Sequence, residues 1–197
     1  MQLFLASASP RRHELLQLLD RPFTVVRPQV PEQQQQGESP QDYVRRLAQS
    51  KAEAGAAMVN TEAAVIGADT IVVAAGEVLE KPRDEADFKR MMQQLSGSKH
   101  QAMTAVALHY NGATEVVLVT TVVQFKSLTA AEISAYWQSG EPRDKAGGYG
   151  IQGRAAKFVT RIEGSYLAVV GLPLYETEQL IQAVENKAKN KAKSKAK

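Results

Sequence analysis

The sequence predicts an α/β protein with a mixed, twisted central sheet flanked by helices. Three observations carry that prediction. The chain opens on an alternation of short apolar runs and amphipathic segments, strand–helix–strand–helix, the pattern of parallel crossovers. Its middle is a hairpin: Ala102–Tyr110 and Thr114–Phe125 flank Asn111-Gly112, a pair suited to a type I′ turn. Helical patterns return in the last third. No internal repeat is present, and the alternation favours two lobes around a cleft over two independent domains. One domain is expected over residues 1–185, followed by a lysine-rich tail over 186–197.

Each element has a local reason. Leu3-Phe4-Leu5-Ala6 is a buried strand running into Ser7-Ala8-Ser9-Pro10, where Ser9 suits an N-cap and Pro10 the first helical position. The helix carries its leucines as far as Leu18-Leu19. Phe23–Val26 reads as a second strand, and the polar stretch Arg27–Glu38, with two prolines and four consecutive glutamines, as a long loop. Ser39-Pro40 repeats the cap signal and opens a helix to about Met58, with Val44, Leu47, Ala48, Gly55 and Met58 on its apolar face. Ala63–Ala68 and Ile71–Val73 are apolar strand segments on either side of Asp69-Thr70. Ala75-Gly76 turns the chain into Val78-Leu79, and Asp84 caps a helix to Leu95. Thr129 and Glu132 form a capping box for a helix that stops at Gly140. Pro142–Gly153 is glycine-dense. Ala156–Ile162 and Leu167–Val170 read as strands, and Leu172-Pro173 begins a helix to about Val184.

Composition narrows the function. An apolar fraction of 44% is ordinary for a globular protein, and the lack of cysteine excludes disulfides, a thiol nucleophile and a cysteine-based zinc site. No apolar run approaches the roughly 20 residues of a membrane helix, and no signal-peptide pattern opens the chain. A soluble cytoplasmic protein with no membrane partner is expected. The tail holds six lysines, and removing them from the net charge of +3 leaves −3. It lacks apolar anchors and is expected to be disordered. The acidic body argues against nucleic-acid binding by the folded part.

Several charges stand where solvated charges do not belong. Ser7, Ser9, Arg11 and Arg12 meet at a strand–helix turn, where free backbone N–H groups and the helix dipole favour an anion. Both arginines lie over the leucine face, so they either snorkel along the core edge or bind that anion. Lys51 falls in the middle of its helix's apolar face, about 20° from Val44 at 100° per residue. It either reaches out to the edge or points into a polar cleft. Asp69 interrupts a long apolar run; it is a hydrogen-bonded structural carboxylate or a site residue at a strand end. With Lys81, Lys145 and Glu32 these make five cations and two acids. The cations suit a polyphosphate. The acids suit Mg²⁺ or Mn²⁺, which usually takes one or two protein carboxylates plus phosphate and water. His13, His100 and His109 lack metal-ligand spacing, and no Ser-His-Asp set is visible. The residues alone lead to a metal-dependent enzyme acting on a phosphorylated ligand.

The motifs also resemble a known family. Leu5-Ala-Ser-Ala-Ser-Pro-Arg-Arg12, the Glu32 loop, Arg46-Leu-Ala-x-x-Lys51, Gly67-Ala-Asp-Thr70, Glu80-Lys-Pro82, Leu95-Ser-Gly97, Asp144–Gly153 and Val170-Gly-Leu-Pro-Leu174 are similar, in the same order, to those of the Maf proteins, nucleoside triphosphate pyrophosphatases of the house-cleaning type. The resemblance covers residues 3 to about 184 and leaves out the tail. It implies an elongated α/β fold similar to inosine triphosphatase and hydrolysis of a nucleoside triphosphate to the monophosphate and pyrophosphate. It implies Asp69 as proton acceptor and links Arg12, Thr70 and Gln152 to base choice, in the set typical of the dTTP/UTP-cleaving branch. The tryptophan, Ser-Asp-Gln and Ser-Glu-Gly of the sister branch acting on 7-methyl-GTP are absent; Ala8 in place of a frequent glycine is the one departure noted. Ser7, Ser9, Arg11, Lys51 and Lys81 are then expected to bind phosphate, and Glu32 and Asp69 to hold the metal. A homodimer is a family expectation. Two rivals stand beside this reading: a regulatory or nucleic-acid-binding protein acting on cell division, for which the family was named, and a sensor that binds nucleotides without hydrolysis.

Overall fold

A computed structural model describes residues 1–59 and 61–195, with 191–195 described by backbone alone. In chain order the elements are β1 (Gln2–Ala6), α1 (Pro10–Gln17), β2 (Thr24–Val26), α2 (Pro40–Ala56), β3 (Ala63–Ala74), β4 (Glu77–Leu79), α3 (Glu85–Leu95), β5 (Lys99–Tyr110), β6 (Ala113–Phe125), α4 (Ala130–Gln138), β7 (Val159–Glu163), α5 (Tyr166–Val170) and α6 (Leu174–Lys195). Short 3₁₀ turns lie between α4 and β7. The strands form a mixed sheet in the order β2-β1-β3-β5-β6-β7, with β4 paired to β3. This is the mixed α/β architecture that the alternating pattern predicts. The chain divides into two compact units: Met1–Asp69 with Ala105–Leu118 and the segment from Gly171, and Thr70–Thr104 with Val119–Val170.

The first unit is built on parallel crossovers. β1 pairs in parallel with β2 on one side and with β3 on the other, in the registers Ala6↔Val26 and Ala6↔Gly67. β1 ends here between its two parallel neighbours while β3 runs on, and open α/β sheets bind ligands beyond the carboxyl ends of their parallel strands. The Ala6↔Gly67 register puts Asp69 two residues past the end of β1, level with the Ser7–Ser9 loop. Leu5, Leu16, Tyr43, Val44, Leu47, Ala48, Ala52 and Ile66 fill the core between these strands and helices. Arg21 fastens α6 through Glu178 at 2.7 Å and Glu185 at 2.7 Å.

Gly67 controls how closely α2 packs on β3. A Cβ at Gly67 would collide with the Ala48 carbonyl oxygen and the Ala52 nitrogen. Only glycine lets the helix backbone approach the strand this far, and Lys51 is the residue just before Ala52 on that turn.

The second unit holds an aromatic core. Phe125 lies 4.9 Å from Tyr149 and 6.0 Å from Phe158, ring centre to ring centre, and Phe158 lies 5.4 Å from Tyr136. Edge-to-face contacts of this kind add about 0.5–1.5 kcal/mol each beyond burial. The Asp84 cap and the Thr129–Glu132 capping box form as expected. Asn111 and Gly112, the turn between β5 and β6, both have positive φ, 50° and 76°, as a type I′ turn requires.

The structure departs from the expected elements at several points. Leu18 is in a turn and 65% exposed, because α1 ends at Gln17. Met58 is likewise exposed, since α2 stops at Ala56. Ala63–Ala74 is one unbroken strand through Asp69. Leu167–Val170 belongs to a helix: Gly164, at φ 128°, ends β7, and the Ser165 hydroxyl accepts from the Ala168 N–H at 3.2 Å. A local side-chain cap thus overrides the β-propensity of the two valines. α6 runs to Lys195, through much of the lysine-rich segment, and Lys187 pairs with Glu115. Residues 196 and 197 of that segment lie outside those described.

Replacing Gly67 with Ala should force α2 and β3 apart and destabilise the protein by about 1–3 kcal/mol or more. Urea unfolding measures this; a midpoint equal to wild type would show that the approach is not limiting.

Candidate active site

The strand–helix turn after β1 is tied at each step. The Ser7 N–H donates to the Val26 carbonyl at 3.1 Å, which fixes the chain as it leaves the sheet. The buried Ser7 hydroxyl accepts from the Ser9 N–H at 3.1 Å, and the Ser9 hydroxyl accepts from the Arg12 N–H at 3.4 Å. Ser9 is thereby the N-cap and Pro10 sits at the helix start, as the pair predicts. Arg11 and Arg12 are half-buried on the first turn. Arg12 donates from Nε to the Gly171 carbonyl at 2.9 Å, which ties α1 to the turn before α6. Burial pushes the Arg12 guanidinium below its ordinary value, the neighbouring Asp69 charge opposes that shift, and Arg11 adds to it.

Lys51 lies at the centre of this unit's charges. Its Nζ is 2.5 Å from Asp69 Oδ1 and 2.6 Å from Glu32 Oε1. The lysine and aspartate side chains are only 12% and 10% exposed, while Glu32 is 43% exposed. Two carboxylates from distant parts of the chain thus meet on one ammonium. Glu32 arrives on a loop without regular structure, and α2 holds that loop. Arg46 donates to both oxygens of Glu38, at 2.6 and 2.8 Å, and to the Gln33 carbonyl at 2.9 Å. The hydrogen bonds from Arg46 hold the Glu38 carboxyl below its ordinary value.

The second unit contains Thr70, Lys81 and Gln152. Thr70 Oγ1 is 2.9 Å from Thr104 Oγ1. Lys81 is exposed in the loop after β4, and the preceding Glu80 carbonyl accepts from the Gly147 N–H at 3.1 Å. That contact needs glycine: Gly147 has φ 66°, and a Cβ would lie 2.8 Å from the Val72 side chain. Gln152 is exposed in a turn. The turn is braced on both sides, by Gly150 N–H donating to the Tyr136 hydroxyl at 3.1 Å and by Arg154 N–H donating to Glu141 at 3.0 Å. The Tyr136 hydroxyl donates in turn to Glu141 at 2.9 Å. Lys145, one of the five cations singled out in the sequence, bonds to the Glu141 carbonyl and to Asp144, both at 2.7 Å.

The first unit therefore brings together Ser7, Ser9, Arg11, Arg12, Glu32, Lys51 and Asp69. Sequence reasoning left Arg46, Glu141 and Thr104 without a role. Arg46 stood within a quoted motif, but its link to Glu38 spans a loop; Glu141 and Thr104 offered no local signal. Among the described residues no three His, Asp or Glu side chains converge as a metal cage. Among the described residues, no helix is long and apolar enough to cross a membrane.

The model of the Maf-like protein family matches residues 2–184. The chain belongs to that family. A Vibrio cholerae relative named dTTP/UTP pyrophosphatase is 62% identical over 180 residues, covering 91% of this chain and 96% of the relative. An Idiomarina loihiensis protein of the same name is 55% identical over 190 residues, covering 94% and 96%. A solved nucleoside-triphosphatase / dITP/XTP pyrophosphatase of Mycobacterium abscessus aligns with a TM-score of 0.46 and 22% identity, over 66% of this Maf-like chain and 77% of that one.

Tyr149, within the glycine-rich segment of this Maf-like chain, rests on a buried histidine. His100 Nε2 is 2.8 Å from the Tyr149 hydroxyl, and among the described residues its Nδ1 has no partner. Burial holds the His100 imidazole down to about 4, from 6.5. Between those values the unfolded chain binds the proton and the folded chain does not, so stability rises with pH across that window. It should be complete above the unfolded value and fall by up to about 3 kcal/mol as pH drops towards 4. Urea titrations at several pH values test this: His100→Phe should lose that part of the acid sensitivity, and an unchanged slope would contradict it.

Proposed function

We propose that this chain is a nucleoside triphosphate pyrophosphatase that hydrolyses dTTP and UTP, and modified pyrimidine triphosphates with the same base edge, to the monophosphate and pyrophosphate. The observation that carries the reading is the meeting of Glu32, Lys51 and Asp69 in one unit with the serine-capped, arginine-bearing turn. The name carried by relatives at 55–62% identity supports it. The reaction needs a place for several negative charges, a base for water and a means of choosing the nucleobase.

Asp69 accepts the proton of the attacking water. The water oxygen bonds to the α-phosphorus, the bond from that phosphorus to the bridging oxygen breaks, and pyrophosphate leaves. Ser7, Ser9, Arg11, Lys51 and Lys81 bind the phosphates. The Ser7 and Ser9 hydroxyls already accept from the Ser9 and Arg12 N–H groups, so their contribution includes holding the turn's shape. Arg12, Thr70 and Gln152 choose the base. The Gln152 amide both donates and accepts, which matches the O4 and N3–H of a 4-keto pyrimidine.

The donor set suits Mg²⁺ or Mn²⁺. Glu32 and Asp69 are hard oxygen donors already gathered around one positive charge, and a magnesium-type site takes one or two carboxylates with phosphate and water completing it. When bound, the ion neutralises triphosphate charge. A nucleotide-pool role places the protein in the cytoplasm, and a homodimer is part of the same family expectation. No observation favours the nucleic-acid-binding or sensor readings.

The test is pyrophosphate release, with Mg²⁺ or Mn²⁺, over dTTP, UTP, CTP, ATP, GTP and 7-methyl-GTP. dTTP and UTP should be the best substrates, and no release from either removes the reading. Asp69→Asn should stay folded and lose about 10²–10⁴-fold in turnover. Near-normal turnover in that variant would take Asp69 out of the base role.

A further inference from the structure

Thr104 is a fully buried hydroxyl in the middle of β5. It is 2.6 Å from the Ala168 carbonyl oxygen and 2.9 Å from Thr70 Oγ1. A threonine hydroxyl has one proton to donate, and a carbonyl can only accept. The Thr104 proton therefore goes to Ala168, and the Thr70 proton must go to Thr104. Every further partner of Thr70 Oγ1, from protein or ligand, has to be a donor. The two hydroxyls form a relay whose direction is set by the Ala168 carbonyl.

We propose that Thr104 is a positioning residue that fixes the Thr70 hydroxyl as an acceptor towards the substrate base, and so selects a ring N–H over a ring nitrogen that itself accepts. This rests on the proposed function, in which Thr70 helps to read the base. Uracil and thymine carry a proton on N3; cytosine presents a lone pair there. A hydroxyl committed as acceptor meets N3–H in a hydrogen bond shared with the Gln152 amide oxygen, and meets the cytosine N3 with repulsion. Without the Thr104 hydroxyl the Thr70 O–H loses the acceptor that sets its direction, and it can donate to cytosine as well as accept from uracil. Selectivity between two pyrimidines would then reside partly in a residue that touches neither.

The experiment compares kcat/KM for UTP and CTP in wild type, Thr104→Val and Thr104→Ser. The valine variant keeps the shape and removes the hydroxyl, so the UTP:CTP ratio should fall about tenfold. The serine variant restores the relay and should keep the wild-type ratio. A general loss of packing lowers both substrates together, so a valine variant with an unchanged ratio overturns the inference. If the valine variant does not fold, Thr104→Ala carries the same expectation and the same contradiction. Wild type that releases pyrophosphate from neither nucleotide, or that shows no preference for UTP over CTP, overturns the proposed function and this inference with it. A normal wild-type preference with an unchanged variant ratio overturns the inference alone.

Discussion

The first unit depends on keeping one lysine charged and nearly out of water. An ammonium at 12% exposure cannot remain there unpaired. Asp69 and Glu32 supply the counter-charge, and each is delivered by a different device. Asp69 is carried past the end of β1 by the sheet register. Glu32 is carried by a loop that Arg46 clamps to α2. Lys51 reaches both because Gly67 allows α2 to lie against the strand. Sheet register, helix packing and loop anchoring therefore converge on one nitrogen atom. The same constraint assembles charges of both signs within the fold, which the proposed triphosphate site would use.

Polar groups in the second unit are ordered in another way, through neutral hydrogen bonds with a defined direction. Thr104 passes its proton to a main-chain carbonyl, and Glu141 collects the Tyr136 hydroxyl and the Arg154 N–H around the Gln152 turn. Such networks specify geometry more than they add stability, because each bond replaces one to water at a net of about 1 kcal/mol. They suit the recognition of a base edge, where the pattern of donors and acceptors is the information.

The features legible in the sequence were those decided within a few residues. Ser9, Ser39, Asp84 and Thr129 cap helices because an N-cap bond spans three positions. Asn111-Gly112 turns the hairpin because both residues tolerate positive φ. Lys51 and Asp69 stood out because each breaks an apolar pattern, and the structure gives them to each other. The rest depended on distance in the chain. Nothing near Arg46 says that it holds Glu38, nothing near Thr104 says that it faces Thr70, and the helix at Tyr166–Val170 depends on a serine cap just after Gly164. The family resemblance supplied roles for Arg12, Thr70 and Gln152 that residue chemistry alone left open.

The central claim is that Lys51 and Asp69 act as one charge unit, and a double-mutant cycle in unfolding free energy tests it most directly. Lys51→Met leaves the buried Asp69 carboxylate without its ammonium, and Asp69→Asn leaves Lys51 with Glu32 alone, whereas the double variant leaves neither charge of the buried pair. The double variant should be more stable than the sum of the single losses by more than about 1 kcal/mol. Simple additivity of the two losses would contradict the account.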